Sequence, residues 1–137
     1  MGRNQVEMFA TLDGLISNDH LYRKFETIVD LAALSQPLCA LYSAPGRPEL
    51  GAERAFRMLV LQFSEDVSDR EMERFMRENL AAKWFCGFGL SDKTRDHSFF
   101  GDFRKRLGMY GRHLFARCFS GLAFGYLHVC IRPFSEA

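Results

Sequence analysis

The sequence predicts an all-α fold, a compact multi-helix domain, and three observations carry that prediction. Apolar residues recur at steps of three and four in several segments, which is the spacing of a buried helix face. β-branched residues are few and alternation with a period of two is nearly absent, so strands are not indicated. Hydrophobic residues make up 47% of the 137 residues and aromatic residues 14%, which is enough to build a core and argues against disorder.

The first predicted helix follows a lead-in, residues 1–16, that shows no regular period. Residues 17–19, Ser-Asn-Asp, form a cluster typical of an N-cap, and the helix is expected to run to about Asp30. A second short helical stretch is expected around residues 36–42. The prolines and glycine of residues 44–48 then interrupt the chain. The inner face of the first helix is predicted to contain Leu21, Phe25, Ile28 and Val29.

Two adjacent helices in the middle of the chain are the most regular part of the pattern. The first is expected from about Glu49 to Asp66, with Ala55, Phe56, Leu59, Val60 and Phe63 facing a core. Ser68 and Glu71 then fit a capping box, in which each side chain accepts a hydrogen bond from the other residue's amide. The capped helix is expected over residues 68–80. Its predicted inner face contains Met72, Phe75, Met76 and Leu80.

The remaining chain is expected to hold two further helices. Residues 83–90, rich in aromatic residues and glycine, are interpreted as a turn-like segment packed on the core, and residues 91–96 as a polar loop. Asp96 or Ser98 is expected to cap a helix that ends at Gly108. Its inner residues are predicted to be Phe99, Phe103 and Leu107. The last helix, from about Tyr110, is predicted to turn inward Leu114, Phe115, Cys118, Phe119 and Leu122.

The chain is expected to divide into the lead-in of residues 1–16, a helical domain over residues 17–122 and a tail of residues 123–137. The core of the domain is expected to draw on side chains from several of the predicted segments. They are Phe56, Leu59, Val60, Phe63, Phe75, Met76, Trp84, Phe103 and Phe115.

Composition also predicts a cellular setting. No apolar run approaches the roughly 18–20 residues that cross a bilayer, and the N-terminal residues lack a signal-peptide pattern. We therefore expect a cytoplasmic protein that makes no membrane contact. The four cysteines lie far apart and are expected to be buried and reduced. His128 and Cys130 are the only close pair of potential metal ligands, so no metal site and no cofactor is predicted.

The net charge of +1 conceals an asymmetry along the chain. Residues 1–66 contain six Lys and Arg against nine Asp and Glu, whereas residues 67–137 contain twelve against eight. A partner that carries many negative charges is therefore expected to contact the second half.

Three arginines mark a candidate DNA contact on the capped helix. With the helix before it and the short turn at residues 66–67, this helix makes a unit of helix-turn-helix size. Arg70, Arg74 and Arg77 project from one face at steps of four and three. Their planar guanidinium groups suit guanine edges and phosphates. The alternative is a solvated face on which Glu73–Arg77 and Arg74–Glu78 pairs each contribute about 0.2–0.5 kcal/mol.

A second basic run, Arg104-Lys105-Arg106, lies near the C-terminal end of its helix, and Lys83 is a further candidate. Cations at that end are also favoured by the helix dipole, so the run has an explanation without DNA. Residues 96–98, Asp-His-Ser, are catalytic residue types, but consecutive residues cannot form a relay in which each orients the next. No catalytic residue is predicted.

Six motifs in order carry a family resemblance. They are residues 46–48 (GRP), 57–62 (RMLVLQ), 67–73 (VSDREME), 83–88 (KWFCGF), 96–98 (DHS) and 103–108 (FRKRLG). In this order and at these spacings, roughly residues 17–120 closely resemble the N-terminal domain of insertion-sequence transposases of the IS-five group.

The resemblance implies a function in DNA transposition. Such proteins recognise the terminal inverted repeats of a mobile element in double-stranded DNA. They cut and join DNA with a following RNase H-like domain, whose three acidic residues hold two Mg²⁺ ions. By this resemblance the face of Arg70, Arg74 and Arg77 is the first candidate for a DNA contact, and Lys83 and the run Arg104-Lys105-Arg106 remain further candidates. The DNA-bound protein is expected in the nucleoid.

The chain also departs from the family pattern. Arg95 and Phe99 stand where the family has a proline and a small hydroxyl residue, and no aspartate follows Asp102. We therefore expect a chain truncated before the catalytic domain and inactive alone. Its expected partners are DNA and either a second copy or an intact transposase. The alternative function is a helical interaction or dimerisation domain of a transposase, or of a transposase remnant, with little DNA contact.

Overall fold

The computed structural model describes residues 11–38 and 51–120, and within these ranges it contains seven helices and no strand. The all-α prediction is therefore confirmed. Residues 44–48 and the tail lie outside the described residues, as do the side chains of Phe115, Cys118 and Phe119. The helices are α1 Leu12–Leu15, α2 Leu21–Ile28, α3 Leu31–Ser35, α4 Ala52–Glu65, α5 Asp69–Glu78, α6 Leu80–Cys86 and α7 His97–Ser120.

The core forms around α4, which packs against α3, α6 and α7. Most of the predicted core is confirmed, because Phe56, Leu59, Val60, Met76 and Phe103 are buried. The three other described members, Phe63, Phe75 and Trp84, are partly buried and pack against that core.

Helix α2 differs from its prediction in both its start and its inner face. His20 is the N-cap, and its ring Nδ1 accepts from the Tyr22 amide at 3.1 Å. The Ser17 hydroxyl accepts only from the Asp19 amide, so the predicted cap at residues 17–19 is wrong. Phe25 and Val29 are buried as expected, but Tyr22 is the third buried residue.

Tyr22 turns inward because it has partners on two other helices. Its hydroxyl donates to Glu65 of α4 at 2.6 Å, and its ring lies 5.3 Å from that of Phe85 in α6. This orientation leaves Leu21 and Ile28 exposed, against the prediction.

One short helix precedes α2 in the chain and another follows it. Helix α1 lies inside the lead-in that showed no regular period, and its Thr11 hydroxyl accepts from the Gly14 amide. Helix α3 is capped by Asp30, whose carboxylate accepts from the Ala33 amide at 3.0 Å. It precedes the helical stretch expected around residues 36–42, most of which lies outside the described residues.

The junction between α4 and α5 follows the prediction closely. Helix α4 ends at Glu65, and Asp66 adopts a left-handed conformation with φ 51°. The Ser68 hydroxyl accepts from the Glu71 amide at 3.3 Å, and the Glu71 carboxylate accepts from the Ser68 amide at 2.8 Å. The capping box is therefore confirmed, and it fixes the start of α5.

The end of α5 and the first half of the segment over residues 83–90 were predicted wrongly. Asn79 has an extended backbone that ends α5, and its side chain accepts from the Ala82 amide at 3.0 Å to begin α6. Leu80 is consequently exposed at the first turn of α6 rather than buried. Residues 83–86 are helical rather than turn-like, because Phe85 and Cys86 are buried on the inner side of α6, whereas residues 87–90 are non-helical. Burial raises the pKa of the reduced Cys86 thiol.

Helix α7 begins with Asp96 as its cap, since this carboxylate accepts from the Ser98 amide at 3.1 Å. Phe103 and Leu107 are buried as predicted and Phe99 half-buried, and Phe100 joins the core as well. Gly108, with φ 50° and ψ −139°, interrupts the helical backbone where the first of two helices was expected to end. Leu114 beyond it is buried.

Arg57 ties three helices together. Its guanidinium contacts Glu53 on its own helix at 3.0 Å, Glu26 of α2, and the Phe85 carbonyl oxygen of α6 at 3.0 Å. These contacts fix α6 against α4. Because α5 directly precedes α6 and the loop to α7 follows it, they also position α5 and that loop.

Across residues 11–38 and 51–120, no helix combines the length and the apolar character needed to cross a membrane.

Candidate nucleic-acid interface

The outer face of α5 carries the three arginines that the sequence singled out. Met72 and Met76 are fully buried on the opposite side of the helix, where α5 packs against α6 and α7. Arg70, Arg74 and Arg77 are all exposed. The helical spacing predicted this separation of an apolar inner face from a cationic outer one.

The three arginines differ in their partners. Arg77 pairs with Glu73 at 2.9 Å, as the four-residue spacing predicted, and its side chain remains 65% exposed. Within the part of the chain that the structure describes, Arg70 and Arg74 make no hydrogen bond or ion pair, and the possible Arg74–Glu78 pair is absent. Their guanidinium groups are therefore directed to solvent.

The acidic residue at the start of α5 is held by a partner on another helix. Asp69 accepts from Arg104 of α7 at 2.8 and 2.7 Å, and from the Gln62 side chain of α4 at 2.7 Å. The hydrogen bond from Arg104 lowers the pKa of the Asp69 carboxyl. This carboxylate consequently neutralises Arg104 rather than the arginines of the outer face.

Two further carboxylates of α5 also face structural partners. Glu71 accepts from the Ser68 amide, a backbone hydrogen bond that lowers the pKa of Glu71. Glu73 accepts from the His97 amide at 3.1 Å and lies 3.0 Å from its ring nitrogen, and the side-chain contact lowers the pKa of Glu73. These contacts hold the Glu71 carboxylate at the N-terminal end of α5 and the Glu73 carboxylate at the N-terminal end of α7.

The basic run Arg104-Lys105-Arg106 is divided by the fold. Arg104 is 31% exposed and bound to Asp69. Lys105 is exposed on α7, whereas Arg106 borders a groove that also receives Arg77 and Lys83. The three residues of the run therefore do not form one surface, because consecutive side chains on a helix point in different directions.

That groove, hereafter the cationic groove, is open to solvent and has a volume of about 1120 Å³. It is bordered by α4, α5, α6, the loop before α7 and the first turns of α7. Four carboxylates line it, those of Glu73, Asp92, Asp96 and Asp102. The cations that line it are Arg54, Arg77, Lys83, Lys93, Arg95 and Arg106.

Three of these cations were not among the predicted contact residues. Arg54 belongs to α4, and nothing in its local pattern links it to α5 or to the loop. Lys93 and Arg95 are two cations at alternate positions of the polar loop, and that spacing was the one available indication. Only the packing of α4 against α6 brings these positions together.

Metal-dependent and relay chemistry find no support in the described part of the chain. No group of three His, Cys, Asp or Glu residues within it is arranged to hold a metal ion. The Ser98 hydroxyl donates to Asp96 at 2.5 Å, while the His97 ring faces Glu73 instead. Residues 96–98 thus serve the start of α7 and do not form a nucleophile–base–acid series.

Comparison with protein families matches residues 10–106 to the family described as Transposase domain (DUF772). This range includes every helix from α1 to α6 and the first part of α7. Searches of curated proteins and of solved structures gave no match.

Proposed function

The chain belongs to the family described as Transposase domain (DUF772), and from this premise we propose that its helical domain binds duplex DNA through the outer face of α5. The DNA is proposed to be the terminal inverted repeats of a mobile element of the insertion-sequence type. Recognition of the element ends is the part of transposition that this domain would perform.

The observation that carries the proposal is that Arg70 and Arg74 are exposed and have no hydrogen-bonded partner among the described residues. Both lie on a helix whose opposite side is anchored by Met72 and Met76. An arginine held in water without a hydrogen-bonded partner has its N–H donors available for a phosphate or the edge of a guanine. Arg104, in contrast, is already committed to Asp69.

The position of these arginines suits a helix that enters the major groove. In helix-turn-helix proteins the second helix contacts base edges with side chains near its N-terminal end, and the preceding helix crosses the backbone. Helix α5 follows α4 after the turn at Asp66 and Val67, and Arg70 lies in its first turn. We propose that α4 and α5 take these two roles.

A second candidate function is self-association, or association with an intact transposase, through an apolar surface. The observation that favours it is the pair Met109 and Tyr110, which follow the break at Gly108 and are 69% and 40% exposed. Exposed large apolar side chains of this kind occur at protein interfaces. This candidate predicts little DNA contact.

Binding to a labelled duplex across a range of salt concentrations tests the proposal. Phosphate contacts release counterions, so the logarithm of the binding constant should fall linearly with the logarithm of salt, by roughly 0.9 per phosphate contacted. Sedimentation of the protein alone measures self-association in the same buffers. A dimer that forms without salt-dependent DNA binding would contradict the proposal and favour the second candidate.

A further inference from the structure

The cationic groove is a surface distinct from the outer face of α5, but it shares one residue with it. Arg77 lies on the outer face and also lines the groove, together with cations from α4, α6, the loop and α7. A chain of negative charges that leaves the outer face of α5 at Arg77 therefore meets further cations there. This continuity, which rests on the proposed function, places the groove next to DNA that is bound at the outer face of α5.

The acids of the groove are largely occupied by the protein itself. Glu73 accepts from the His97 amide, Asp92 accepts from the Gly89 amide at 2.7 Å, and Asp96 accepts from the Ser98 amide. Hydrogen bonds from Ser98 lower the pKa of the Asp96 carboxyl, as the contact with His97 does for Glu73. These carboxylates keep their negative charge, but six cations line the groove against four acids, so the groove has an excess of positive charge.

The aromatic rings of the groove are not available to stack on bases. The rings of Phe99 and Phe103 are stacked, with their centroids 5.7 Å apart and an interplanar angle of 10°. The Arg95 guanidinium lies 5.6 Å from the centroid of the Phe99 ring. Phe88 is buried, and the Arg54 guanidinium lies 5.7 Å from its ring. Single-stranded nucleic acid is usually held by bases stacked on open aromatic faces, and this groove offers none.

We propose that the cationic groove binds the phosphodiester backbone of the same duplex that α5 contacts, without reading its bases. Lys93 and Arg54 are the groups that carry this contact most directly. Lys93 is exposed and makes no hydrogen bond or ion pair within the described residues, and Arg54 has its guanidinium beside the Phe88 ring. The outer face of α5 then supplies sequence discrimination, and the groove supplies affinity that is independent of sequence.

The test compares wild type, the double variant Arg54→Gln/Lys93→Gln and the control Lys24→Gln/Arg112→Gln. Lys24 and Arg112 are exposed and lie outside both the groove and α5, so the control removes the same charge elsewhere. The probes are two labelled mixed-sequence duplexes of unrelated sequence, each about two helical turns long. Circular dichroism and urea midpoints establish that all three proteins are folded.

For the groove variant we expect the log–log salt slope to shrink by roughly two units. Affinity should fall by the same factor for both duplexes, while the control stays near wild type. Unequal losses on the two duplexes would show that the groove reads bases, and an unchanged slope or an equal loss in the control would also overturn the proposal. In all three of these outcomes the wild-type protein still binds DNA. If the proposed function itself fails, the wild-type protein shows no salt-dependent binding to either duplex.

Discussion

Asp69 and Arg104 join the first turn of α5 to α7, and the buried Gln62 of α4 contacts both of them. The Gln62 amide donates to Asp69 at 2.7 Å, and its oxygen accepts from Arg104 at 3.2 Å. Three helices therefore meet at one polar cluster. The cluster holds the N-terminal end of α5 in place, which is the end that presents Arg70.

Removing the charge of Asp69 should destabilise the fold in a manner that depends on pH. The Asp69 carboxyl has a lowered pKa in the folded protein because Arg104 stabilises its charged form. Its contribution is therefore fully present above the ordinary Asp value of about 3.9 and is lost as pH falls through the lower folded value. Asp69→Asn should lower the urea midpoint at neutral pH, and the difference from wild type should shrink in acid.

Urea titrations of both proteins at neutral pH and at several acidic values provide the measurement. Asp19→Asn is the matched control, because Asp19 is exposed and makes no ion pair within the described residues. A constant difference between Asp69→Asn and wild type at all pH values would show that charge at Asp69 does not contribute.

At the scale of elements, the capping box determines where α5 begins and hence which of its residues point outward. Ser68→Ala removes the hydroxyl that accepts from the Glu71 amide and should cost about 0.5–2 kcal/mol of stability. Ser64→Ala is the matched control. Its hydroxyl only bonds back to the Val60 carbonyl within α4, and the change should alter stability by less than about 0.5 kcal/mol. Equal urea midpoints for Ser68→Ala and wild type would contradict the capping role.

The left-handed residue that ends α6 gives a second prediction at this scale. Gly87 has φ 78°, so Gly87→Ala should cost about 1–2 kcal/mol through backbone strain. Gly101 lies inside α7 with open space where a Cβ would stand, so Gly101→Ala should stabilise by about 0.5–1 kcal/mol. Thermal unfolding of the two variants should therefore shift in opposite directions. A shift of both in the same direction would contradict the assignment of these backbone conformations.

Elements with a clear local pattern could be predicted from the sequence. The apolar stripe of α4 and the capping box of α5 lie close together along the chain, so the local pattern predicts both. Asn79 could not be assigned in the same way, because an asparagine is compatible both with a helix interior and with a cap. Its extended backbone depends on the burial of α6, which is a property of the whole fold.

The same distinction separates the two parts of the candidate interface. Arg70, Arg74 and Arg77 share one face by helical spacing alone, so the sequence places them together. Arg54 reaches the cationic groove only because α4 packs against α6 and because Arg57 binds the Phe85 carbonyl. No periodicity in the sequence indicates that Arg54 lies beside α6, so the groove is visible only in the structure.

At the scale of the whole molecule, the helices place two cationic surfaces side by side around Arg77. One is the outer face of α5 and the other is the cationic groove. The core beneath them is apolar, and Arg104, whose charge is bound internally, belongs to neither surface. The molecule therefore offers duplex DNA a contact surface wider than a single helix.

The central claim is that the outer face of α5 contacts DNA, and the double variant Arg70→Ala/Arg74→Ala tests it most directly. The measurement is the salt dependence of binding to the labelled duplexes, with folding checked by urea midpoints and with Lys24→Ala/Arg112→Ala as the control of equal charge. If both arginines contact phosphates, affinity should fall and the log–log slope should shrink by roughly two units, while the control retains the wild-type slope. A slope unchanged in the Arg70→Ala/Arg74→Ala variant, with the protein folded, would contradict the claim.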